Sequence, residues 1–129
     1  MFQEYKFKIK KDSKINFCDQ NFIFFHFSFR NNYIFINCKS KRWLFEKKII
    51  TKLNEFDLII RLYQNYAKIL INDNIKVNYY YQVDFSYFQE LKFNSNVSLI
   101  SKNEDFKLTK YSDYLRDKRV VIVAPGGYL

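Results

Sequence analysis

The chain has no glycine before Gly126, and its one proline is Pro125. Glycine is the residue that enters φ > 0 without steric cost, so tight turns ordinarily lean on it. Here Asn and Asp, the next most tolerant residues, must supply almost every tight turn before Pro125. Two cysteines, Cys18 and Cys38, sit in separate strand-like runs. Without a secretory signal ahead of them, that spacing does not argue for a disulfide framework. A single histidine and no metal-site spacing argue against zinc, and no cofactor is expected. The N-terminal MFQEYKFKIKKDSK is too charged for a signal peptide or a transmembrane helix. The expected location is cytoplasmic, or outside the cell by a route that needs no signal peptide. Catalytic patterns are missing as well: there is no Ser/His/Asp arrangement and no completed phosphate loop. Glu55 and Asp57 lie close in sequence, but strand spacing and solvent exposure explain them without acid–base chemistry.

What is present is apolar and aromatic. Hydrophobic residues make up 48% of the 129 and aromatics 21%, ample for one folded domain. The formal charge of +9 raises nucleic acid or an anionic membrane as a partner. Lys, Asn, Ile, Phe and Tyr are all encoded by AT-rich codons, and the chain is loaded with all five. Genome composition is therefore weighed ahead of nucleic-acid binding as the source of the basicity.

The pattern reads as many short strands. Tyr5, Phe7 and Ile9 alternate with Lys6 and Lys8, a half-buried strand with lysines protecting an edge. Asp12-Ser13 reads as a turn before a short strand from Lys14 to Phe17. Phe56 to Tyr63 alternates again, and Tyr66–Ile71 and Ile75–Tyr81 flank the hairpin turn Asn72-Asp73-Asn74. Asp84 to Glu90 breaks the alternation as a helical turn. Leu91–Phe93 and Val97–Ile100 form a final pair. No long segment shows a 3.6-residue period, which points to an antiparallel sandwich.

The informative stretch is Asn21 to Lys48, NFIFFHFSFRNNYIFINCKSKRWLFEKK. A strand from Phe22 to Arg30 puts Ile23, Phe25, Phe27 and Phe29 on a core face. Its other face carries Phe22, Phe24, His26, Ser28 and Arg30. After an Asn31-Asn32 turn, Tyr33 to Cys38 places Tyr33, Phe35 and Asn37 together. Trp43 follows a short basic loop, ahead of Glu46 and Lys48. The spacing of three from Trp43 to Glu46 needs a turn or bulge between them. An indole for an apolar C–H face, with fixed polar groups for hydroxyls, suits a sugar.

This stretch resembles the galectin carbohydrate-recognition domain, whose signature reads H-x-N-x-R, V-x-N, then W-x-x-E-x-R. The corresponding residues here are His26, Ser28 and Arg30, then Ile-Asn37, then Trp43, Glu46 and Lys48. FDLIIRLYQNYAKILIND and LKFNSNVSLIS resemble later strand pairs of the family, so the likeness spans about Lys14 to Ser101. It implies an all-β, galectin-like β-sandwich (jelly roll) of two antiparallel sheets that binds galactoside-type glycans without catalysis. In that reading Trp43 stacks on the sugar and His26 and Arg30 bond its axial 4-hydroxyl. Asn37 serves the 6-hydroxyl, and Glu46 accepts from hydroxyls while holding Arg30. A His beside Arg⁺ is expected to be neutral. Three departures stand out. Ser28 replaces an Asn, Phe29 stands where Pro is common, and Lys48 replaces an Arg whose planar two-pronged contact an ammonium cannot reproduce. The loop from Asn37 to Trp43 is also one residue shorter than in the family.

Beyond this domain, taken as residues 1–108, residues 109–129 change character. Tyr111 to Lys118 reads as a short helix capped by Ser112. Arg119 to Ala124 (RVVIVA) then enters Pro125-Gly126-Gly127, which looks like the first strand of a sialyltransferase-like glycosyltransferase domain. An added strand is the alternative. The partner expected is a glycan or glycoconjugate. The alternatives are a non-catalytic galectin-fold appendage in front of a glycosyltransferase, and a basic nucleic-acid-binding β module.

Overall fold

The computed structural model describes residues 2–19, 22–83, 90–103 and 119–123, the last through the backbone. Within it, the two-residue alternation of side chains becomes two stacked sheets. One has five strands in the order β10 (Val97–Asn103), β1 (Gln3–Lys10), β6 (Glu55–Leu62), β7 (Tyr66–Ile71) and β8 (Asn74–Tyr80). The other has the order β11 (Arg119–Val123), β9 (Glu90–Asn94), β2 (Ser13–Cys18), β3 (Ile23–Arg30), β4 (Tyr33–Lys39) and β5 (Lys47–Ile50). All pairings are antiparallel except β11 with β9, which is parallel. The chain is thus an all-β sandwich, with one parallel edge strand beyond the expected two antiparallel sheets. That edge strand is the RVVIV segment, paired residue for residue with Glu90–Asn94. The expected helices at 84–90 and 111–118 fall largely or wholly outside the described residues.

The two sheets close on a core of Phe, Tyr, Ile and Leu. Tyr5, Phe7, Phe17, Phe25, Phe27 and Phe29 are all at most 1% exposed. Rings cross between the layers: Tyr5 meets Phe17 at 5.1 Å, Phe7 meets Phe93 at 6.2 Å, and Phe29 meets Phe56 at 5.0 Å. Such tilted and edge-on pairs add about 0.5–1.5 kcal/mol each beyond the burial itself. Of the core face assigned to Ile23, Phe25, Phe27 and Phe29, the three phenylalanines join the core as alternation requires, whereas Ile23, beyond a bulge, is buried outside the core cluster.

Two expectations from alternation fail for local reasons. Phe24, placed on the polar face, is buried against Phe17 and Tyr81. A bulge between Ile23 and His26 inserts an extra residue and turns it inward. Lys6 and Lys8 do not guard an edge, because β1 lies between β10 and β6. They lie near Glu4 and Asp57, at 3.9 and 3.6 Å.

The turns show how a chain without glycine manages. The described residues with positive φ are Asp12 (63°), Asn31 (54°), Asn72 (49°) and Asp73 (66°), all Asn or Asp. Asn72 is fixed further to β6: its backbone N–H donates to the Asp57 carbonyl, and its side-chain Oδ1 accepts from the Asp57 N–H. Asn94, fully buried, bonds the Lys14 N–H and the Asp12 carbonyl and so joins the β1–β2 and β9–β10 turns. Consecutive positive φ at Asn72 and Asp73 is the geometry that Asn-Gly satisfies best. Replacing Asp73→Gly should raise stability by about 0.5–1 kcal/mol, read as a higher urea midpoint at unchanged slope. Asp73→Val should lower it.

Candidate functional site

The outer face of the six-stranded sheet gathers its polar residues because the inner face is sealed. Pairing puts Lys92, Asn16, His26 and Asn37 in one row across β9, β2, β3 and β4. The next row holds Lys14, Ser28, Phe35 and Lys48, and the third begins with Arg30 and Tyr33. Neighbouring strands lie about 4.8 Å apart, so each four-residue row spans roughly 14 Å. Asn16, Ser28 and Asn37 are buried and form a floor, whereas His26 and Phe35 are half-buried above it.

Trp43 stands at one side of this floor. It bridges to Lys39, and its ring centroid is 4.8 Å from that of His26. At 39% exposed it is neither a core residue nor a free one. Residues 44–46 leave regular strand geometry before β5 begins at Lys47, the irregularity that the Trp43-to-Glu46 spacing requires. Gln82 holds this segment. Its Nε2 donates to the Phe45 carbonyl at 2.8 Å, and its Oε1 accepts from the Phe45 N–H at 3.0 Å. Gln82 is braced in turn by the Tyr79 hydroxyl at 2.6 Å. One side-chain amide thus imitates a strand pairing where the strand itself is interrupted.

His26 is positioned by Asn16, whose Oδ1 lies 2.5 Å from His26 Nδ1. With the amide oxygen as acceptor, Nδ1 carries the proton and Nε2 is left as an acceptor. Burial, then Lys14 and Arg30, lower the His26 pKa to about 3, so the ring is neutral at physiological pH. Arg30 lies over the Phe35 ring at 4.4 Å, and Lys48 lies over Tyr33 at 4.0 Å.

Several predicted site residues are differently engaged from what the sequence resemblance implies. Glu46 is exposed, and among the described residues no ion pair joins it to Arg30. Arg30 takes an aromatic partner instead, the Phe35 ring. Asn37 Oδ1 already accepts the Cys38 N–H at 2.8 Å, leaving its amide nitrogen as the group to offer. The sequence pattern places Phe35 on this face without a role, and it does not single out Asn16 or Gln82. Asn16 is the one polar residue in the Ile15-Asn16-Phe17 alternation, a signal the sequence does carry. Gln82 acts across 37 positions and leaves no local trace.

The buried cysteines belong to the packing. Cys38 Sγ lies 2.8 Å from the Phe24 carbonyl, and burial pushes its pKa up. Cys18 is pushed up to about 11 by burial, and both thiols are free. No group of His, Cys, Asp and Glu among the described residues could hold a metal. No helix there is long and apolar enough to cross a membrane.

Comparison with solved structures places this architecture. The chain is similar to sheep galectin-11 in complex with glycerol, with TM-score 0.60 and 15% identity over 79% of this chain and 88% of that one. It is similar to the Caenorhabditis elegans galectin LEC-6, with TM-score 0.67 and 13% identity over 79% and 80% of the two chains. A doubly substituted human galectin-16 gives TM-score 0.65 at 18% identity, over 78% and 85%. No family model and no curated protein matches the sequence. At these identities the likeness is one of fold.

Two measurements test this geometry. The unfolded chain binds a proton at His26 near pH 6.5 while the folded chain does not until about pH 3. His26 therefore costs stability progressively as pH falls through that window. The urea midpoint should drop between pH 7 and 4, and His26→Asn should flatten part of that slope. Gln82→Leu should release the Trp43 segment, read as faster amide exchange at Phe45 with the core amides still protected.

Proposed function

We propose that the outer face of the six-stranded sheet binds a saccharide, without catalysis, and that galactoside-type glycans are the class to test first. The contact of the half-exposed Trp43 ring with neutral His26 carries this reading. The indole offers an apolar face to a pyranose ring, while His26 Nε2 accepts from a hydroxyl beside it. Arg30, the Asn37 amide nitrogen and Ser28 complete the polar set, and Glu46 and Lys48 border it. The galectin architecture supports the same face as the binding face. Partners of this kind are glycans or glycoconjugates.

Trp43 is the single tryptophan of the chain, so its fluorescence reports the site directly. Titration with lactose and galactoside-terminated glycans should shift that emission. Trp43→Ala should weaken binding, read by calorimetry, at least about tenfold, a loss of some 1.4 kcal/mol, with little change in the urea midpoint. Undiminished affinity in the variant would remove the stacking role. Binding should be flat between pH 8 and 5, because His26 stays neutral throughout that range.

A second reading rests on Asn37 and Glu46. With Asn37 Oδ1 turned to the backbone and Glu46 unpaired from Arg30, fewer groups face a neutral galactose. That favours a galectin-fold appendage serving protein interaction, in front of a glycosyltransferase domain as the resemblance of residues 119–129 implies. A folded chain that answers no glycan on an array would select it.

A further inference from the structure

Two cations on the proposed binding face lack the carboxylate that would ordinarily neutralise them. Arg30 lies 4.4 Å and Lys48 6.0 Å from the centroid of the same Phe35 ring, from adjoining strands on either side of it. Lys48 is also 4.0 Å from the Tyr33 centroid. Neither forms an ion pair with an acid among the described residues. Glu90 on this sheet is 3.8 Å from Lys92, and Glu46 meets neither cation.

Like charges held beside one ring repel, and an aromatic face compensates a cation only in part. Elsewhere in the molecule the arrangement is different. On the five-stranded sheet Arg61 also lies over a ring, Phe2 at 5.1 Å, yet it keeps Glu4 at 2.8 Å. The aromatic setting alone therefore does not require a missing counter-ion. On the binding face Lys14 adds positive charge in the row of Ser28 and Phe35, and Lys39 lies 5.2 Å from the Trp43 ring. Lys14 and Arg30 are felt at His26, whose protonation they oppose. The uncompensated field is centred where a sugar seated on Trp43 and His26 would extend along the sheet.

We infer that the natural ligand is an anionic glycan whose acidic substituent, a sulfate ester or a carboxylate, seats between Arg30 and Lys48 beside Phe35. This rests on the saccharide-binding reading and adds a charge requirement to it. A guanidinium and an ammonium together give directed donors and a point charge to one anionic group. An ammonium at Lys48 supplies the charge without the planar geometry that a guanidinium would impose.

The test compares lactose, 3′-O-sulfated lactose, 3′-sialyllactose and a single-stranded oligouridylate, each titrated against the full chain at about 50 mM and 300 mM salt. At least one of the two acidic sugars should bind roughly tenfold or more tightly than lactose at low salt. The advantage should shrink at the higher salt as screening grows. Whichever acidic sugar leads identifies the substituent. Lys48→Met and Arg30→Met should each lower the acidic-to-neutral affinity ratio, with circular dichroism unchanged. Equal affinity for lactose and both acidic sugars would overturn the charge requirement and leave saccharide binding standing. No response to any sugar by the folded chain would overturn both readings. Oligouridylate binding as tightly as the best sugar, with the same loss in both variants, would replace the glycan with a general polyanion.

Discussion

Tyr5 against Phe17, Phe7 against Phe93 and Phe29 against Phe56 are contacts between layers, and they hold β1, β2, β3, β6 and β9 in register. A one-residue slip in any of these strands would carry its phenylalanines to solvent and its Lys or Asn into the core. Losing one large ring from such a core costs several kcal/mol, a large part of what a domain of this size has in total. The apolar interior therefore dictates the exterior. Once Ile15, Phe27 and Ile36 are inside, Asn16, His26 and Asn37 must stand in one row outside. The site is the reverse side of the packing.

That dependence explains which parts of the candidate site the packing holds. His26 and Asn37 are on strands pinned from below, and Asn16 fixes the His26 ring by a single short bond. Trp43 is on the irregular stretch between β4 and β5, where no ladder continues. Its position relies on Gln82, which supplies both halves of a peptide-like pairing to Phe45 and is itself braced by Tyr79. The segment is also tied to β4, by the Trp43 bridge to Lys39 and by the Leu44 N–H donating to the Cys38 carbonyl at 3.0 Å.

Charge is the second organising feature. The inner faces are neutral and the outer faces carry the ions, but the two sheets handle them differently. On the five-stranded sheet, Glu4 lies within ion-pair distance of Arg61 and Lys6, and Asp57 of Lys8. On the six-stranded sheet, Arg30 and Lys48 rest on Phe35 and Tyr33, with no acid paired to them among the described residues. Codon usage bears on how many lysines a chain has. It does not account for where the counter-ions are missing.

Period-two alternation, the run of Asn and Asp at the turns and the order of His26, Asn37 and Trp43 were legible in the chain itself. They are local properties, and backbone sterics convert them into strands and hairpins wherever they occur. Phe24 escaped that reading because a bulge is decided by the partner strand. Gln82 escaped it because its contact joins segments 37 positions apart. The sequence alone determined the layered β architecture and which residues could face solvent together. Only the tertiary structure decided that Arg30 meets an aromatic ring rather than Glu46. Side-chain partners depend on where an interrupted strand is re-anchored, and that follows from packing across the whole molecule.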